Sequence, residues 1–202
     1  MAGEPATVDF YLGLGSRYSY LAASQVERIE AAHNCRFVWK PLASGALMDR
    51  LGYNAFRASR PPSGQYDWGY REYDAKCWAA YYGIPFVEPR EVRVDAAAPA
   101  LACLAADGQG ALVACCRLIQ RLLFVEGAVI DEAALASLPE RLGIDRTAFE
   151  REYGSLRIRE RHEKLIDEAH KRGAFGVPTF FLGERMFWGN DRLVLLEAAL
   201  RS

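Results

Sequence analysis

The N-terminal part of the chain carries the pattern of two strands joined by a helix. Residues 8–12 form a short apolar run with Asp9 inside it, which predicts a buried strand. Apolar residues recur at helical spacing over 20–32, and Asn34 suits a left-handed helix stop. Residues 36–42 predict a second strand, closed by Pro41. The two strands are expected to be parallel, because a helical crossover links them.

The middle of the chain, residues 45–172, shows little strand-like alternation and is rich in Ala, Leu, Arg and Glu, which favour helices. A loop is predicted at residues 54–67, where Pro, Gly, Ser and Arg are concentrated. Helices are predicted at residues 74–82, 96–106, 111–126, 132–142 and 156–171, with another short helix capped by Asp145.

The C-terminal segment returns to strands. Residues 179–182 and 185–188 predict a hairpin around the turn at Gly183, and a final helix follows with Asn190 as its N-cap. The element order is therefore βαβ, a helical insertion, then ββα. This order predicts an α/β fold in which a thioredoxin-like domain, residues 1–44 and 173–202, is interrupted by an all-helical insertion domain, residues 45–172.

Composition narrows the class of partner. The 202 residues are 51% hydrophobic, and 25 basic against 26 acidic residues leave a net charge of −1. Nucleic acid is not an expected partner, because its binding requires a basic surface. The N-terminus lacks the pattern of a secretory signal, and no apolar stretch is long enough for a bilayer. We therefore expect a cytoplasmic protein with no membrane partner and a small-molecule substrate.

Cysteine and histidine spacing gives no metal or redox motif. Neither a C-x-x-C pair nor a zinc-ligand spacing occurs, so no metal site is predicted. The three histidines lie in helical contexts without the nucleophile elbow of a serine hydrolase. The odd cysteine count and Ala-rich surroundings predict reduced, buried thiols at Cys35, Cys77, Cys103, Cys115 and Cys116.

The junction between the first strand and the first helix is a candidate site for an anion. Unsatisfied N–H groups at a helix start stabilise an anion, and a thiolate is one such group. No cysteine lies there, so a thiolate must come from a ligand, to which Ser16 or Ser19 can donate a hydrogen bond. The alternative is that these serines only cap the helix.

Two further segments near the C-terminus could bind a ligand. Pro178 precedes a strand, and a cis bond after Val177 would turn the Val177 backbone outward; the alternative is an ordinary trans turn proline. Asn190 and Asp191 at the last helix start could hold a ligand carboxylate and ammonium. Helix capping alone would also explain these two residues.

Three motifs match one known family in order and over nearly the whole chain. They read D-F-Y-x-x-x-x-S-x-Y-S-Y-L near the N-terminus, G-V-P-T-F-F around residue 177, and F-W-G-N-D-R-L at residues 187–193. Together they resemble the 2-hydroxychromene-2-carboxylate isomerases, as do the middle segments at residues 81–85 and 142–149. The first two motifs are similar, more loosely, to kappa-class glutathione transferases.

The resemblance implies a DsbA-like fold in which Ser16 and Ser19 occupy the places of the redox C-x-x-C pair. By this match glutathione is the cofactor, and Ser16 is the catalytic serine that faces its sulfur. The Val177–Pro178 bond would be cis, with the Val177 backbone pairing to the cysteinyl unit. The γ-glutamyl end would be held by Trp188, Gly189, Asn190 and Asp191. A homodimer is also expected from the resemblance.

The sequence departs from the family pattern near the expected substrate. Gly13 and Arg17 stand where the family commonly has Asp and Pro, and Arg17 would either favour a thiolate or be solvated. Met48 stands where a lysine is expected, and the loop around Gln65 lacks the usual Asn/Arg pair. Met48, Gln65 and Tyr70 are our candidate substrate residues. The aromatic stretch at residues 66–82 either walls an aromatic pocket or packs in the core.

Three functions follow from these observations. The first is a glutathione-dependent cis–trans isomerase that converts a 2-hydroxychromene-2-carboxylate-like product of aromatic ring cleavage, a small aromatic carboxylate, in aromatic catabolism. The second is a kappa-like glutathione transferase or peroxidase, which would consume glutathione. The third is a non-catalytic module that binds glutathione. A thiol–disulfide oxidoreductase is excluded, because Ser16 and Ser19 cannot form a disulfide.

Overall fold

A four-stranded sheet joins the two ends of the chain. The computed structural model describes residues 4–52, 67–89, 93 and 95–201. The strands are β1 (Ala6–Leu12), β2 (Cys35–Pro41), β3 (Thr179–Leu182) and β4 (Arg185–Trp188), in the spatial order β2-β1-β3-β4.

β1 lies between partners from opposite ends of the sequence. It pairs in parallel with β2 and antiparallel with β3, and β3 forms a hairpin with β4. Tyr11 lies opposite Thr179, so the chain that leaves β1 runs beside the chain that enters β3. The predicted strand–helix–strand unit, the hairpin and the α/β thioredoxin-like fold with helical additions are confirmed.

Helices make up most of the rest. Those in the described residues are α1 (Arg17–Ala23), α2 (Val26–Ala32), α3 (Ser44–Arg50), α4 (Trp68–Tyr82), α5 (Ala98–Asp107), α6 (Leu112–Phe124), α7 (Glu132–Ala136), α8 (Leu138–Leu142), α9 (Arg146–Tyr153), α10 (Leu156–Lys171) and α11 (Leu193–Leu200). The bounds of α10 and the Asp145 cap agree with the sequence prediction.

The first predicted helix is in fact two. It is interrupted after α1, where the Ser24 hydroxyl donates to the Leu21 carbonyl (2.6 Å), a local bond that competes with regular helix. The left-handed stop predicted at Asn34 is wrong. His33 ends α2 in an extended conformation, and every positive φ in the described residues belongs to glycine.

Other boundaries also differ from the prediction. The helix predicted at 132–142 is divided into α7 and α8 at Ser137. The sequence did not predict α3, because its Ser-Gly start is typical of a loop. α4 begins earlier than expected, capped by Asp67. Asn190 is not an N-cap, because it begins a 3₁₀ turn, Asn190–Arg192, that precedes α11. The predicted loop at residues 54–67 lies, apart from Asp67, outside the described residues.

The alternating residues of β1 separate two apolar clusters. Phe10 faces the larger cluster, in which its ring stacks on Phe180 with the ring centroids 4.8 Å apart. This cluster also contains Leu104 of α5. Tyr11 faces the smaller one, which includes Ile166 of α10. The larger cluster contains residues both of the sheet and of the predicted insertion. The division of the chain into two domains, at residues 44 and 172, therefore stays a prediction.

An ionic network explains the charged residue within β1. Lys40 Nζ lies 3.0 Å from the Asp9 carboxylate and 2.7 Å from that of Glu168, and Arg172 Nη1 lies 2.6 Å from Asp9. The Tyr11 hydroxyl also donates to Glu168 (2.7 Å). Although burial raises it, hydrogen bonds from Arg172 and Lys40 hold the pKa of Asp9 below its usual value. The network therefore ties α10 to the sheet.

The cysteines are free, and four of them are buried. Cys77 is exposed on α4, so the prediction that every thiol is buried is wrong at this position. Within the described ranges, none of the helices combines the length and the apolar content that a membrane span requires.

His162 holds the turn after β2 against α10. It is 3% exposed, and its Nε2 accepts a hydrogen bond from the Ala43 backbone N–H at 3.0 Å. Burial lowers the pKa of His162, although Glu163, whose carboxylate lies 4.0 Å from Nδ1, and Asp95 act in the opposite direction. The neutral imidazole is therefore the form that fits this junction.

We predict that acid weakens the fold through this histidine. Because the folded pKa lies below the unfolded one, its contribution to the free energy of unfolding is complete above about pH 6.5 and falls as the pH drops below it. His162→Gln, which keeps an acceptor, should reduce this loss, whereas His162→Leu should cost about 1–3 kcal/mol at neutral pH. Urea unfolding from about pH 8 to about pH 5 measures both.

His33→Gln is the matched control, because it removes a histidine outside the junction. Because His33 Nε2 contacts the Glu197 carboxylate at 3.5 Å instead, this variant should not reduce the loss of stability below neutral pH. A His162→Gln protein with the full wild-type pH dependence would contradict the prediction.

Candidate functional site

The three sequence motifs meet where β1 ends and β3 begins. The Ser16 N–H donates to the Gly13 carbonyl at 3.0 Å and closes a turn after β1. An added Cβ on Gly13 would lie 3.0 Å from Val177 Cγ2, so this turn packs closely against the segment before Pro178. The Gly189 N–H donates to the Pro178 carbonyl at 2.9 Å. The sheet thus brings the predicted site segments together.

The two serines of the first motif have different surroundings. Ser19 is fully buried, and its hydroxyl oxygen accepts from the Gly13 N–H at 3.2 Å, so it stabilises the turn. Ser16 is only partly buried and caps α1 by accepting from the Ser19 N–H at 3.2 Å. A serine hydroxyl has two acceptor positions and one donor. Capping therefore leaves the Ser16 O–H available to a ligand.

The second motif forms a tight turn before β3. The Val177–Pro178 bond is cis, as the resemblance implies. The Thr179 hydroxyl donates to the Gly176 carbonyl at 2.7 Å and closes the turn. In the described part of the chain, no hydrogen bond occupies the backbone N–H or C=O of Val177. These groups can therefore pair with an extended peptide.

The third motif begins with an aromatic contact and ends with a buried amide. Trp188 packs on Phe175, with ring centroids 4.8 Å apart. Asn190 is 3% exposed, and its side-chain Nδ2 has no hydrogen-bond partner among the described residues. Asp191 lies 2.6 Å from Arg192 Nη1. The segment therefore offers a buried donor and, next to it, a charged carboxylate.

Two cavities flank these segments. The smaller, about 220 Å³, is lined by Gly13 and Gly15 on one side and by Ala43, Ser44 and Pro99 on the other. It therefore opens beside the turn that carries Ser16.

The larger cavity, about 870 Å³, lies between α4 and the last helix. Its lining includes Trp78, Tyr81 and Tyr82 together with Asn190 and Asp191. Trp78 and Tyr82 also pack on the main apolar cluster. The aromatic stretch therefore serves both as cavity wall and as core, so both sequence interpretations hold for part of it.

The candidate substrate residues are not assembled into one pocket. Met48 lies partly buried on α3, and Tyr70 is 53% exposed in the first turn of α4. Neither residue lines the two cavities described above. Gln65 lies outside the described residues. The substrate roles of these three residues stay predictions.

Arg17 lies in an unexpected environment. It is 7% exposed, contacts the Glu88 carboxylate and lies 5.3 Å from the Trp68 ring centroid. The suggestion that it is simply solvated is therefore wrong. Close by, burial and the Asp74 carboxylate raise the pKa of Tyr18 to about 12. No local sequence signal connects Arg17 with Glu88, which is 71 positions away.

Sequence comparison identifies relatives along nearly the full chain. The model of the DSBA-like thioredoxin domain matches residues 7–201. A 2-hydroxychromene-2-carboxylate isomerase from Pseudomonas putida is 32% identical over 96% of this chain and 93% of its own. Another from Pseudomonas sp. (strain C18) is also 32% identical, over 96% of this chain and 89% of its own.

Solved structures give the same assignment. A 2-hydroxychromene-2-carboxylate isomerase structure superposes with a TM-score of 0.79 at 29% identity, covering 96% of this chain and 94% of the other. The cytosolic disulfide reductase DsbM from Pseudomonas aeruginosa, solved with GSH, shares the fold at 22% identity and a TM-score of 0.64, with 97% and 100% covered. The chain therefore belongs to the DSBA-like thioredoxin family and, within it, to the 2-hydroxychromene-2-carboxylate isomerase family.

Proposed function

We propose that the protein is a glutathione-dependent isomerase of a 2-hydroxychromene-2-carboxylate-like product of aromatic ring cleavage. The names of the relatives at 32% identity support the reaction class. The observation that carries the glutathione dependence is the Ser16 hydroxyl, which keeps its O–H after capping α1. Because serine replaces the redox cysteine, the nucleophilic sulfur must come from a bound molecule.

The described residues fit a tripeptide that contains an internal thiol. The unpaired backbone of Val177 suits the cysteinyl unit, and Ser16 lies across the same turn, where it can reach the sulfur. The buried Nδ2 of Asn190 can donate to the γ-glutamyl carboxylate, and Asp191 can attract the ammonium group. In this assignment Trp188 and Gly189 complete the γ-glutamyl site.

Each of these residues has a defined task in the reaction. Bound glutathione would supply a thiolate nucleophile for reversible addition to a conjugated carbon, which is the chemistry that permits cis–trans isomerisation. The Ser16 O–H donates to the sulfur and favours its anionic form, which is the reactive one. The Val177 backbone orients the cysteinyl unit.

A kappa-like glutathione transferase or peroxidase is the alternative. Met48 stands where the resemblance predicts a lysine, so an expected polar contact with the isomerase substrate is lost. This loss favours the transferase alternative. We also infer a homodimer, which rests on the resemblance, and a reducing cytoplasm, which is consistent with five free cysteines.

Removal of the Ser16 hydroxyl should greatly reduce catalysis. With saturating glutathione, we expect Ser16→Ala to lower the rate of chromene-carboxylate isomerisation about 100-fold, as for other single donors to a developing anion. The rate is measured by absorbance. Ser24→Ala, which removes a hydroxyl at the other end of α1, is the control and should retain turnover. Near-wild-type turnover of Ser16→Ala would falsify the role given to this serine.

The fate of glutathione separates isomerase from transferase. An isomerase recovers its cofactor, so the thiol concentration should stay constant while many equivalents of substrate react. The measurement is a titration of free thiol during turnover of the chromene carboxylate. A second reaction, with an aryl halide in place of this substrate, is followed in the same way. Stoichiometric loss of thiol with either compound would replace the isomerase proposal by the transferase.

Gly189 provides a test of the γ-glutamyl site. Its φ is +105°, and a Cβ there would overlap the Asp191 carboxylate, so Gly189→Ala should displace Asp191. We expect the KM for glutathione to rise about 10-fold and stability to fall by about 1–3 kcal/mol.

Gly183→Ala is the matched control, because Gly183 also has a positive φ of +58° but an added Cβ would meet nothing within 4 Å. This variant should lose stability yet keep the wild-type KM for glutathione. Equal KM values for the two alanine variants would argue against a γ-glutamyl site at Asp191.

A further inference from the structure

A buried ion pair directly follows Ser16, and its hydrogen bonding is incomplete. Arg17 contacts Glu88 through Nη2 and Oε1 only. Arginine and a carboxylate frequently form two parallel hydrogen bonds. Here Nη1 of Arg17 and Oε2 of Glu88 are both buried without a hydrogen-bond partner among the described residues. One donor and one acceptor are therefore left over within a single ion pair.

Such leftover groups are unusual in protein interiors. Buried polar atoms nearly always have partners, and the exceptions often mark sites where another molecule binds. A ligand that satisfies both atoms must offer an acceptor to Arg17 and a donor to Glu88. A carboxylate and a hydroxyl on the same carbon provide this combination within one small group.

The charges around the pair favour an anion. The guanidinium carbons of Arg17 and Arg71 both lie 5.3 Å from the ring centroid of Trp68. Burial, and then the charge of Arg17, lower the pKa of Arg71. Glu88 faces both cations, while the Asp74 carboxylate interacts with the Tyr18 hydroxyl. An additional carboxylate would relieve the repulsion between the two guanidinium groups.

We propose that Arg17 and Glu88 together recognise the α-hydroxycarboxylate group of the substrate. The inference rests on the proposed function for the substrate class, since 2-hydroxychromene-2-carboxylate carries its hydroxyl and its carboxylate on one carbon. The carboxylate accepts from Arg17 Nη1, and the hydroxyl donates to Glu88 Oε2. Arg17 follows Ser16 at the start of α1, so the inference assigns the hydroxycarboxylate group to the same end of this helix as the proposed sulfur.

We assign Trp68 as the side chain that moves when the ligand enters. Both recognition atoms are covered, so binding must displace a side chain. Trp68 lies beside the guanidinium group, and 52% of it is exposed. Its indole can turn away and then flank the aromatic ring of the substrate. Arg17 and Glu88 are thus specificity-determining residues, and Arg17 stands where the family commonly has proline.

Binding of unreactive analogues tests the pair without turnover. The probes are 2-hydroxytetralin-2-carboxylate, its carboxamide, and tetralin-2-carboxylate, which lacks the hydroxyl. By calorimetry, the wild-type protein should bind the hydroxy acid about 10-fold more tightly than either other probe. Arg17→Gln should abolish the preference for carboxylate over carboxamide. Glu88→Met should abolish the preference for the hydroxyl.

Two controls separate a loss of recognition from a general disruption of the fold. Arg161→Gln disrupts another arginine–carboxylate pair, with Asp107, and should leave all three affinities unchanged. Each single variant of the recognition pair leaves a buried charge alone, so the double variant Arg17→Gln/Glu88→Gln supplies a neutral pair. This double variant should fold, as thermal unfolding by circular dichroism reports, and should show neither preference.

The outcomes distinguish the inference from the function on which it rests. Equal wild-type affinity for the three probes, or variants that weaken all three by the same factor, would overturn the recognition pair. A wild-type protein that selects the hydroxy acid but does not isomerise the chromene carboxylate would refute the proposed function and support the pair.

Discussion

The pairing of β1 with β3 is the interaction on which the rest of the structure depends. These strands are separated by more than 160 positions along the chain, yet Tyr11 lies opposite Thr179 in the same sheet. Their ends bring the turn that carries Ser16 against Val177, and the hairpin then brings Gly189 to Pro178. A helical insertion as large as this one is tolerated because the entropic cost of loop closure grows slowly with loop length.

The candidate site combines structural and chemical roles in the same atoms. Ser16 uses an acceptor position to cap α1 and keeps its donor, whereas Ser19 uses its oxygen to hold Gly13. Capping and ligand binding are therefore compatible at Ser16. Similarly, Asn190 is fixed within the fold by its burial while its Nδ2 stays available to a ligand. In the proposed site, the rigidity of the scaffold would position the ligand.

Sequence reasoning was most accurate where local pattern decides structure. Strand-favouring residues and a turn at Gly183 identified the hairpin from Thr179 to Trp188 with the observed bounds, and helix-favouring residues identified α10. It was less accurate at helix ends such as Ser24 and Asn190, because a single side-chain hydrogen bond or a 3₁₀ turn changes the boundary there. α3 was missed, because its packing against α10 outweighs the weak helical preference of its Ser-Gly start.

The sequence by itself determined the fold class, the family and the chemistry that the chain lacks, since the absence of cysteine at positions 16 and 19 depends on residue identity alone. Only the tertiary structure decided which distant groups meet. It placed Glu88 against Arg17, the Ala43 N–H against His162, and Cys77 at the surface. Such contacts depend on the mutual packing of elements that are far apart in the chain, and local propensity contains no information about them.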